Sequence, residues 1–378
     1  MDAAPHVALV NLALVPGLRP AELLARLPGL GRFASSLAAE GARVTVVARA
    51  GEEADLSEGA VRLVALHDGD APFLPLRDPA LRVAATLRRL GPDVVHVGGL
   101  LFPVPTAAFR AALPRRVPIL LQHHGEPPGG GRLGLLQRAL LRFADGVLVT
   151  SREIAGEWLT RRLLPRETPV HEVLEASTDL RPVDRDAARA ATRIDGDPAI
   201  LWVGRLHPRK DPHTALGAFE GSLRRLPGAR LHLVYGEAPL LSTLEDRCAA
   251  SDALRAAVRF VGPVPHAELP AWYSAADLFL TASAAEGSNW ALIEATACGL
   301  PAVASDIPAN RRVGGPGTSF FPAGEAEAGA EAIVGAALSP PPRGAALVEH
   351  FERRLSWRVV AREALAAYEA ALGRRERA

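Results

Sequence analysis

Two carboxylates bracket the predicted start of a helix in the C-terminal half of this sequence. Glu286 and Glu294 have seven residues between them, so Glu286 lies in a loop and Glu294 inside a helix predicted over 290–297. Either Ser288 or Asn289 can cap this helix. A helix N-terminus attracts anions, and carboxylates bind hydroxyl groups. The pattern predicts a nucleotide-sugar site, and the buried strand before it disfavours the alternative of two solvated acids on a surface helix.

Two basic side chains lie between a predicted strand and the helix that follows it. The strand covers 199–203, Arg205 and Lys210 come next, and Asp211 with Pro212 is predicted to begin the helix. A planar guanidinium binds two phosphate oxygens at once, and an ammonium adds a compact charge. The pair therefore suits a diphosphate, although two solvated cations would have the same spacing.

Composition excludes several other classes of protein. The 378 residues carry a net charge of +1, so no bulk field attracts nucleic acid, and we expect no nucleic-acid partner. The two cysteines, both in predicted helices, favour a reducing compartment over a disulfide framework. The N-terminus lacks the pattern of a signal peptide, and no apolar stretch is long enough to cross a bilayer. We expect a cytoplasmic protein, with peripheral membrane contact left open.

Short apolar runs alternate with amphipathic stretches along most of the chain. Continuous apolar strands joined by helices indicate parallel sheets covered on both faces. The predicted fold class is α/β, with two doubly wound Rossmann-like domains that bind ligands at the carboxyl ends of their strands. The predicted boundaries are 1–180 for the N-terminal domain, 181–197 for a linker, 198–354 for the C-terminal domain and 355–378 for a last helix.

The motifs around these residues resemble those of a known enzyme family. E-x7-E followed by A-x-A-C-G-x-P, together with V-G-R-L-H-P-R-K-D, is similar to the donor site of retaining glycosyltransferases of the GT-B fold, glycosyltransferase family four in particular. The resemblance spans nearly the whole chain and is strongest from Leu201 to Pro308. It implies that two Rossmann-like domains face a cleft, and that the last helix crosses back to pack on the N-terminal domain.

The resemblance also implies roles for individual residues. Glu286 would contact hydroxyls of the donor sugar, and Glu294 would contact the ribose. Arg205 and Lys210 would bind the diphosphate. Further donor-binding positions, at the helix start and in a turn whose backbone reads the nucleobase, are Ser288, Asn289 and Gly262.

A pair of imidazoles follows a predicted strand of the first half. His124 is the better match to the family's histidine that approaches the donor sugar, and His123 is the reserve. By this resemblance, His124 and Glu286 would be the catalytic residues. His96 ends another predicted strand and is interpreted as structural, while Gly98 stands where the family often has a second histidine.

Three further departures from the family pattern are visible. Ser288 and Asn289 replace the commoner Phe-Gly, the run E-A-S-T-D from Glu175 stands where P-N-G-V-D is usual, and Arg312 stands where an acid is common. The first departure bears on the sugar specificity. The second means that a contact made by the usual asparagine does not carry over to this chain, and the third removes a supporting contact.

The reaction implied by the resemblance is transfer of a sugar from a nucleoside-diphosphate sugar to an acceptor hydroxyl, with retained anomeric configuration. No metal and no cofactor besides the donor substrate are expected. The acceptor, a glycan, a lipid-linked sugar or a small molecule, is not indicated. Two alternatives remain open: a nucleotide-sugar hydrolase or epimerase of the same fold, and a non-catalytic nucleotide-sugar-binding protein.

Two other motifs invite different chemistry. G-x-G-x-x-G from Gly129 to Gly134 fits a dinucleotide fingerprint, but it does not leave a strand directly, so we interpret it as a flexible loop. Two D-x-D triplets, Asp68 to Asp70 and Asp195 to Asp197, fall in glycine-containing turns, where aspartate serves turn formation. Neither motif is assigned a cofactor or a metal.

Overall fold

Continuous apolar runs form buried parallel strands in both halves of the chain, as their pattern predicts. The structure is a computed structural model that describes residues 4–69, 71–72 and 74–377. Within these residues the chain divides into two units. Unit 1 runs to Ala176 and includes the chain from Trp357 onward, and unit 2 runs from Ser177 to Ser356.

The strands form one sheet in each unit. Those of unit 1 are β1 (His6–Asn11), β2 (Arg43–Arg49), β3 (Ala54–Glu58), β4 (Val61–Leu66), β5 (Val94–Gly98), β6 (Ile119–Gln122), β7 (Gly146–Val149) and β8 (Val170–Glu172). Those of unit 2 are β9 (Ala199–Gly204), β10 (Arg230–Tyr235), β11 (Val258–Gly262), β12 (Leu278–Thr281), β13 (Ala302–Ser305) and β14 (Thr318–Phe321). The strand orders are β3-β4-β2-β1-β5-β6-β7-β8 and β11-β10-β9-β12-β13-β14.

Helices connect these strands. Their bounds are α1 (Pro20–Arg26), α2 (Pro28–Ala39), α3 (Leu81–Leu90), α4 (Pro103–Ala112), α5 (Gly131–Leu140), α6 (Arg152–Thr160), α7 (Arg185–Thr192), α8 (Pro212–Ser222), α9 (Leu241–Ala250), α10 (Asp252–Ala257), α11 (Leu269–Ala275), α12 (Trp290–Ala297), α13 (Pro308–Val313), α14 (Ala326–Leu338), α15 (Ala345–Arg354) and α16 (Trp357–Glu376). In the part of the chain that the structure describes, no helix combines the length and apolar character needed to cross a membrane.

Both sheets are doubly wound, which confirms the predicted fold class. In each sheet the chain builds strands outward on one side and then returns to the other, so the order reverses between β1 and β5 and between β9 and β12. Each unit has its own apolar core, with Val95 and Ile119 fully buried in unit 1 and Ile200 and Leu280 in unit 2. Strand β3, which the sequence pattern missed, is a largely exposed edge strand antiparallel to β4.

The stretch 181–197, which the sequence predicts to be a linker, is partly helical. This stretch contains α7, whose N-cap Asp184 accepts a hydrogen bond from the Ala187 backbone at 2.9 Å. Arg185 and Arg189 of α7 both bind the carboxylate of Asp277, at 2.5 and 2.9 Å, within unit 2. The sequence predicted a linker from the Arg- and Asp-rich composition of this stretch, because the partner of these arginines is distant in sequence.

The last helix is anchored within unit 1 by hydrogen bonds and ion pairs. Tyr368 shares a 2.6 Å hydrogen bond with the buried His96 of β5. Arg375 lies 2.5 Å from the carboxylate of Asp145, which also accepts the Ile119 backbone N–H at 2.8 Å. His96 therefore has the structural role that the sequence suggested.

Candidate functional site

The loops after β9 and β12 meet at the point where the strand order of unit 2 reverses. β9 and β12 are parallel neighbours, so their carboxyl ends lie at the same edge of the sheet. The backbone N–H of Ala284, after β12, donates to the Arg209 carbonyl, after β9, at 2.9 Å. This bond joins the two loops that carry the predicted cation and the predicted carboxylate.

Lys210 and Glu286 form an ion pair across these loops. The Lys210 ammonium lies 2.5 Å from Oε1 of Glu286, and the side chains are 17% and 11% exposed. The hydroxyl of Ser283 donates to the same carboxylate oxygen at 2.6 Å. Among the 43 Lys and Arg residues of the sequence, Lys210 is the only lysine. This position therefore has a compact ammonium group, whereas every other basic position of the chain has the larger, planar guanidinium of arginine.

The position of Lys210 is fixed by the helix start that follows it. Asp211 has a left-handed backbone, with φ of 42°, and caps α8. Its side chain accepts hydrogen bonds from the Thr214 backbone at 3.1 Å and hydroxyl at 2.6 Å, and Pro212 occupies the first turn. The predicted start of this helix is confirmed.

Glu294 lies inside α12, where both of its carboxylate oxygens accept hydrogen bonds. It is 5% exposed, and it accepts from Nε2 of His266 and from the hydroxyl of Tyr273, each at 2.8 Å. Burial raises the pKa of Tyr273 well above its usual range, and the Glu294 charge adds to the effect. The hydrogen bond to Glu294 raises the pKa of His266. His266 is 60% exposed, so it is the more easily displaced of the two partners.

The start of α12 differs in detail from the predicted cap. Asn289 is the N-cap residue, but its side chain makes no capping hydrogen bond. Its backbone has φ of 39°, a left-handed conformation that glycine adopts most easily and asparagine next. Asn289 therefore satisfies the backbone requirement of a position where the family more often has glycine. Ser288, the other predicted cap, is buried beside it.

The Asn289 side chain is part of a buried polar network that the sequence did not reveal. Its amide donates to Oδ1 of Asn310 at 2.7 Å and to the Thr281 hydroxyl at 3.3 Å. Asn310 in turn donates to the Ser305 carbonyl at 2.8 Å, and the Ser305 hydroxyl donates to the Ser283 carbonyl at 2.6 Å. The network joins the ends of β12 and β13 to α12 and so supports the Ser283 that contacts Glu286.

The remaining predicted residues of unit 2 lie at neighbouring strand ends. Arg205 follows β9, is exposed, and lies 3.7 Å from Glu237 in a surface ion pair. Such pairs contribute little energy, so the guanidinium can move to another anion. Gly262 ends β11 with φ of 88°, which requires a glycine-like backbone, and the space that a side chain would occupy is open. The structure thus joins Lys210 to Glu286, and it pairs Arg205 with a different acid.

The two histidines after β6 have different surroundings. His123 is buried, and its ring uses both nitrogens: Nε2 donates to the Glu126 carbonyl at 3.0 Å, and Nδ1 accepts from the Gly125 backbone at 3.2 Å. His124 is 48% exposed, and its Nδ1 lies 2.5 Å from Glu175. Nε2 of His123 donates a hydrogen bond within this local turn, and Nε2 of His124 does not. Both histidines belong to unit 1.

The glycine-rich stretch is held more firmly than the predicted flexible loop. The Gly129 backbone donates to the Gln137 side chain at 2.9 Å, and Gln137 donates to the Leu100 carbonyl at 3.1 Å. A Cβ at Gly134 would lie 2.7 Å from the Gly129 carbonyl oxygen. The glycines therefore allow this turn to pack on α5, which begins at Gly131.

Only the second of the two D-x-D triplets lies wholly within the residues that the structure describes. Asp70 lies outside the described residues. Near the second triplet, the Asp195 carbonyl accepts from Nε2 of the buried His232 at 2.9 Å. Within residues 4–69, 71–72 and 74–377, no three His, Cys, Asp or Glu side chains are grouped as metal ligands.

Two family models match the sequence. Residues 30–171 match the model described as Glycosyltransferase Family 4, and residues 197–337 match the model described as Glycosyl transferases group 1. The second range contains Lys210, Glu286 and Glu294.

Named relatives are similar over part of their length. A D-inositol 3-phosphate glycosyltransferase of Kribbella flavida is 31% identical over 262 residues, which cover 65% of this chain and 60% of that protein. A GDP-mannose-dependent alpha-(1-6)-phosphatidylinositol monomannoside mannosyltransferase of Mycobacterium tuberculosis is 29% identical over 298 residues, which cover 73% of this chain and 75% of that protein. The match to a second D-inositol 3-phosphate glycosyltransferase, from Catenulispora acidiphila, spans 33% of that relative.

Solved structures share the fold. Sucrose-phosphate synthase from Thermosynechococcus elongatus superposes with a TM-score of 0.71 at 20% identity, covering 98% of this chain and 99% of that one. Anabaena HepE in complex with UDP superposes with a TM-score of 0.68 at 16% identity, covering 97% and 100%. At these identities the likeness concerns the fold. The two family models show that the chain belongs to the group 1 glycosyltransferases, family four, and the structural likeness shows the GT-B fold.

Proposed function

We propose that the protein transfers a sugar from a nucleoside-diphosphate sugar to an acceptor hydroxyl. The observation that carries the proposal is the Lys210–Glu286 pair at the strand reversal of unit 2, with Glu294 on the helix that follows. A cation suits the diphosphate, and the two carboxylates suit the sugar and ribose hydroxyls. The family membership supports the same assignment.

In the proposed reaction the anomeric configuration is retained. The bond from the sugar C1 to the diphosphate oxygen breaks, and a bond from C1 to the acceptor oxygen forms on the same face. The acceptor proton passes to the departing phosphate oxygen, and a nucleoside diphosphate is released. Lys210, joined by Arg205 if the latter leaves Glu237, would offset the charge that develops on the leaving group. The chain's own side chains supply this charge, so we propose a metal-independent transfer.

The donor and acceptor classes are also proposals. One relative is named as GDP-mannose-dependent, and a structural neighbour was solved with UDP, so UDP and GDP sugars are the first donors to test. Two relatives are named for acceptors that contain inositol, which makes an inositol phosphate a reasonable first acceptor. His124 of unit 1 is proposed to contact a substrate oxygen.

The experiment that tests this function has a binding step and a transfer step. Thermal unfolding with UDP, GDP and ADP should show one diphosphate that raises Tm, because a ligand that binds the folded state stabilises it. The protein should then convert UDP-glucose or GDP-mannose to a glycosylated product with an inositol phosphate. Release of free sugar without acceptor would favour a hydrolase, and binding without turnover would favour a binding protein. If no nucleoside diphosphate stabilises the protein, the proposed function is wrong.

We expect nucleoside-diphosphate affinity to rise with pH through the raised pKa of His266. The protonated ring holds Glu294 more strongly than the neutral ring, and a ribose hydroxyl must displace it to reach the carboxylate. Calorimetric titration between pH 6 and pH 9 measures the affinity, and His266→Gln should bind with a flatter pH dependence. Parallel pH dependences in the two proteins would contradict the competition, because ionisation of the ligand itself affects both equally.

A further inference from the structure

His124 lies beside a carboxylate that comes from a different strand end of unit 1. His124 follows β6, and Glu175 follows β8, which lies two strands away in the sheet. Nδ1 of His124 is 2.5 Å from Oε2 of Glu175, and the Glu175 side chain is largely buried. Because a carboxylate accepts hydrogen bonds, the ring presents Nδ1–H to Glu175. This contact fixes which ring nitrogen remains for another partner.

A second carboxylate fixes the backbone that carries the ring. Oε2 of the buried Glu126 accepts the His124 backbone N–H at 2.6 Å, and its Oε1 accepts the Leu100 backbone N–H at 2.5 Å. Glu126 thereby joins the loop after β6 to the loop after β5. Glu126 thus binds the backbone N–H of His124, and Glu175 binds its ring.

The other ring nitrogen lies next to a glycine. A Cβ at Gly98 would be 3.2 Å from Nε2 of His124, closer than most side-chain contacts allow. The absence of a side chain at Gly98 therefore leaves the space that this orientation of the ring needs. Gly98, at the end of β5, leaves space for the His124 ring, and Glu175, after β8, accepts a hydrogen bond from the same ring.

The charged groups around the ring favour its protonated form. Partial burial lowers the pKa of His124, but the charge and hydrogen bond of Glu175, helped by the charge of Glu126, outweigh burial and raise it. His96, on β5, is the other histidine that interacts electrostatically with this ring. Burial lowers its pKa to about 3, so it is uncharged at neutral pH and does not oppose protonation of His124.

We propose that Glu175 is a positioning residue that holds His124 with Nδ1–H toward the carboxylate and Nε2–H free to donate to a substrate oxygen. The identity of that oxygen rests on the proposed function, whereas the orientation and protonation of the ring do not. A neutral ring held in the same way would present Nε2 as an acceptor. Loss of the ring proton would therefore reverse the hydrogen-bonding character of Nε2.

The first test is an NMR titration of the His124 ring in the full-length protein, with its signals assigned by their loss in His124→Gln. We expect the pKa of His124 to lie above its ordinary value, to fall in Glu175→Gln, and to be restored in Glu175→Asp if the shorter acid still reaches the ring. Glu172→Gln removes the same charge three residues earlier, where the side chain binds the Arg152 backbone instead. It should leave the titration unchanged.

The second test is the pH profile of transfer. The alkaline limb of kcat/KM should move to lower pH in Glu175→Gln and stay in place in Glu172→Gln. An unchanged His124 pKa in Glu175→Gln, with circular dichroism showing an intact fold, would overturn the positioning role. If the wild-type protein transfers no sugar but its His124 titrates as expected, the proposed function fails and the positioning role stands.

Discussion

Replacing Lys210 with methionine should lower kcat/KM for sugar transfer by about 10²- to 10³-fold, the range seen when one preorganised group that stabilises transition-state charge is removed. The ammonium is placed by the α8 start and by its 2.5 Å contact with Glu286. It would face the diphosphate as negative charge develops on the leaving oxygen. Steady-state kinetics with the donor identified by thermal unfolding measures the loss.

Two further variants separate catalysis from folding. Lys210→Met leaves the nearly buried Glu286 without its cation, which destabilises the protein by itself. The double variant Lys210→Met/Glu286→Gln removes the unpaired charge, so it should regain stability without regaining transfer. Arg209→Met, at an exposed neighbouring position, is the matched control and should transfer at the wild-type rate.

Lys210→Arg should also lose sugar transfer, although it keeps the positive charge. A guanidinium is larger and planar, and it does not fit the site of a compact ammonium that is 17% exposed. Because Lys210 is the only lysine, selective ¹⁵N-lysine labelling gives a single side-chain signal that reports on the pair directly. Wild-type rates in Lys210→Met, or a lysine signal that does not respond to nucleoside diphosphate, would contradict the diphosphate role.

Acid should destabilise unit 1 through His96, and this is the second large effect. Burial lowers the pKa of His96 from 6.5 to about 3 in the folded protein. Between these values the unfolded chain binds a proton that the folded chain does not, so stability falls as the pH falls. At 1.36 kcal/mol per pKa unit, the total loss approaches about 5 kcal/mol.

His96→Asn removes this titration. Denaturant unfolding at pH values from 7.5 to 4.5 should show a slope of stability against pH that is smaller by about 1 kcal/mol per pH unit than in the wild type. The slope is the test, because losing the 2.6 Å bond to Tyr368 lowers stability at every pH. His207→Asn changes an exposed histidine and serves as control. Equal slopes in wild type and His96→Asn would contradict the prediction.

Other buried or half-buried histidines add to the common acid slope, so only the difference between proteins isolates His96. Burial is the first cause of the lowered pKa in each of them, and they are His6, His171, His232 and His350. The pKa values of His124 and His266 are raised by their carboxylate partners, so the contribution of these two residues to stability changes with pH in the opposite direction. The stability that these two contribute is present below pH 6.5 and is lost as the pH rises through their raised values.

The sequence by itself determined the features that depend on neighbouring residues. Apolar runs gave the strands, Asp211 with Pro212 gave the start of α8, and the E-x7-E spacing placed Glu286 in a loop and Glu294 in α12. These features follow from local backbone preference and from the period of the hydrophobic pattern. The family motifs are local in the same sense.

Only the tertiary structure decided which side chains meet. Lys210 and Glu286 are 76 positions apart in the chain, and His124 and Glu175 are 51 apart. His266 reaches Glu294 across 28 positions, and no local pattern marks it as a partner. Within each unit, the order of the parallel strands brings that unit's own loops to one edge of its sheet, and that order is set by long-range packing that residue spacing does not encode.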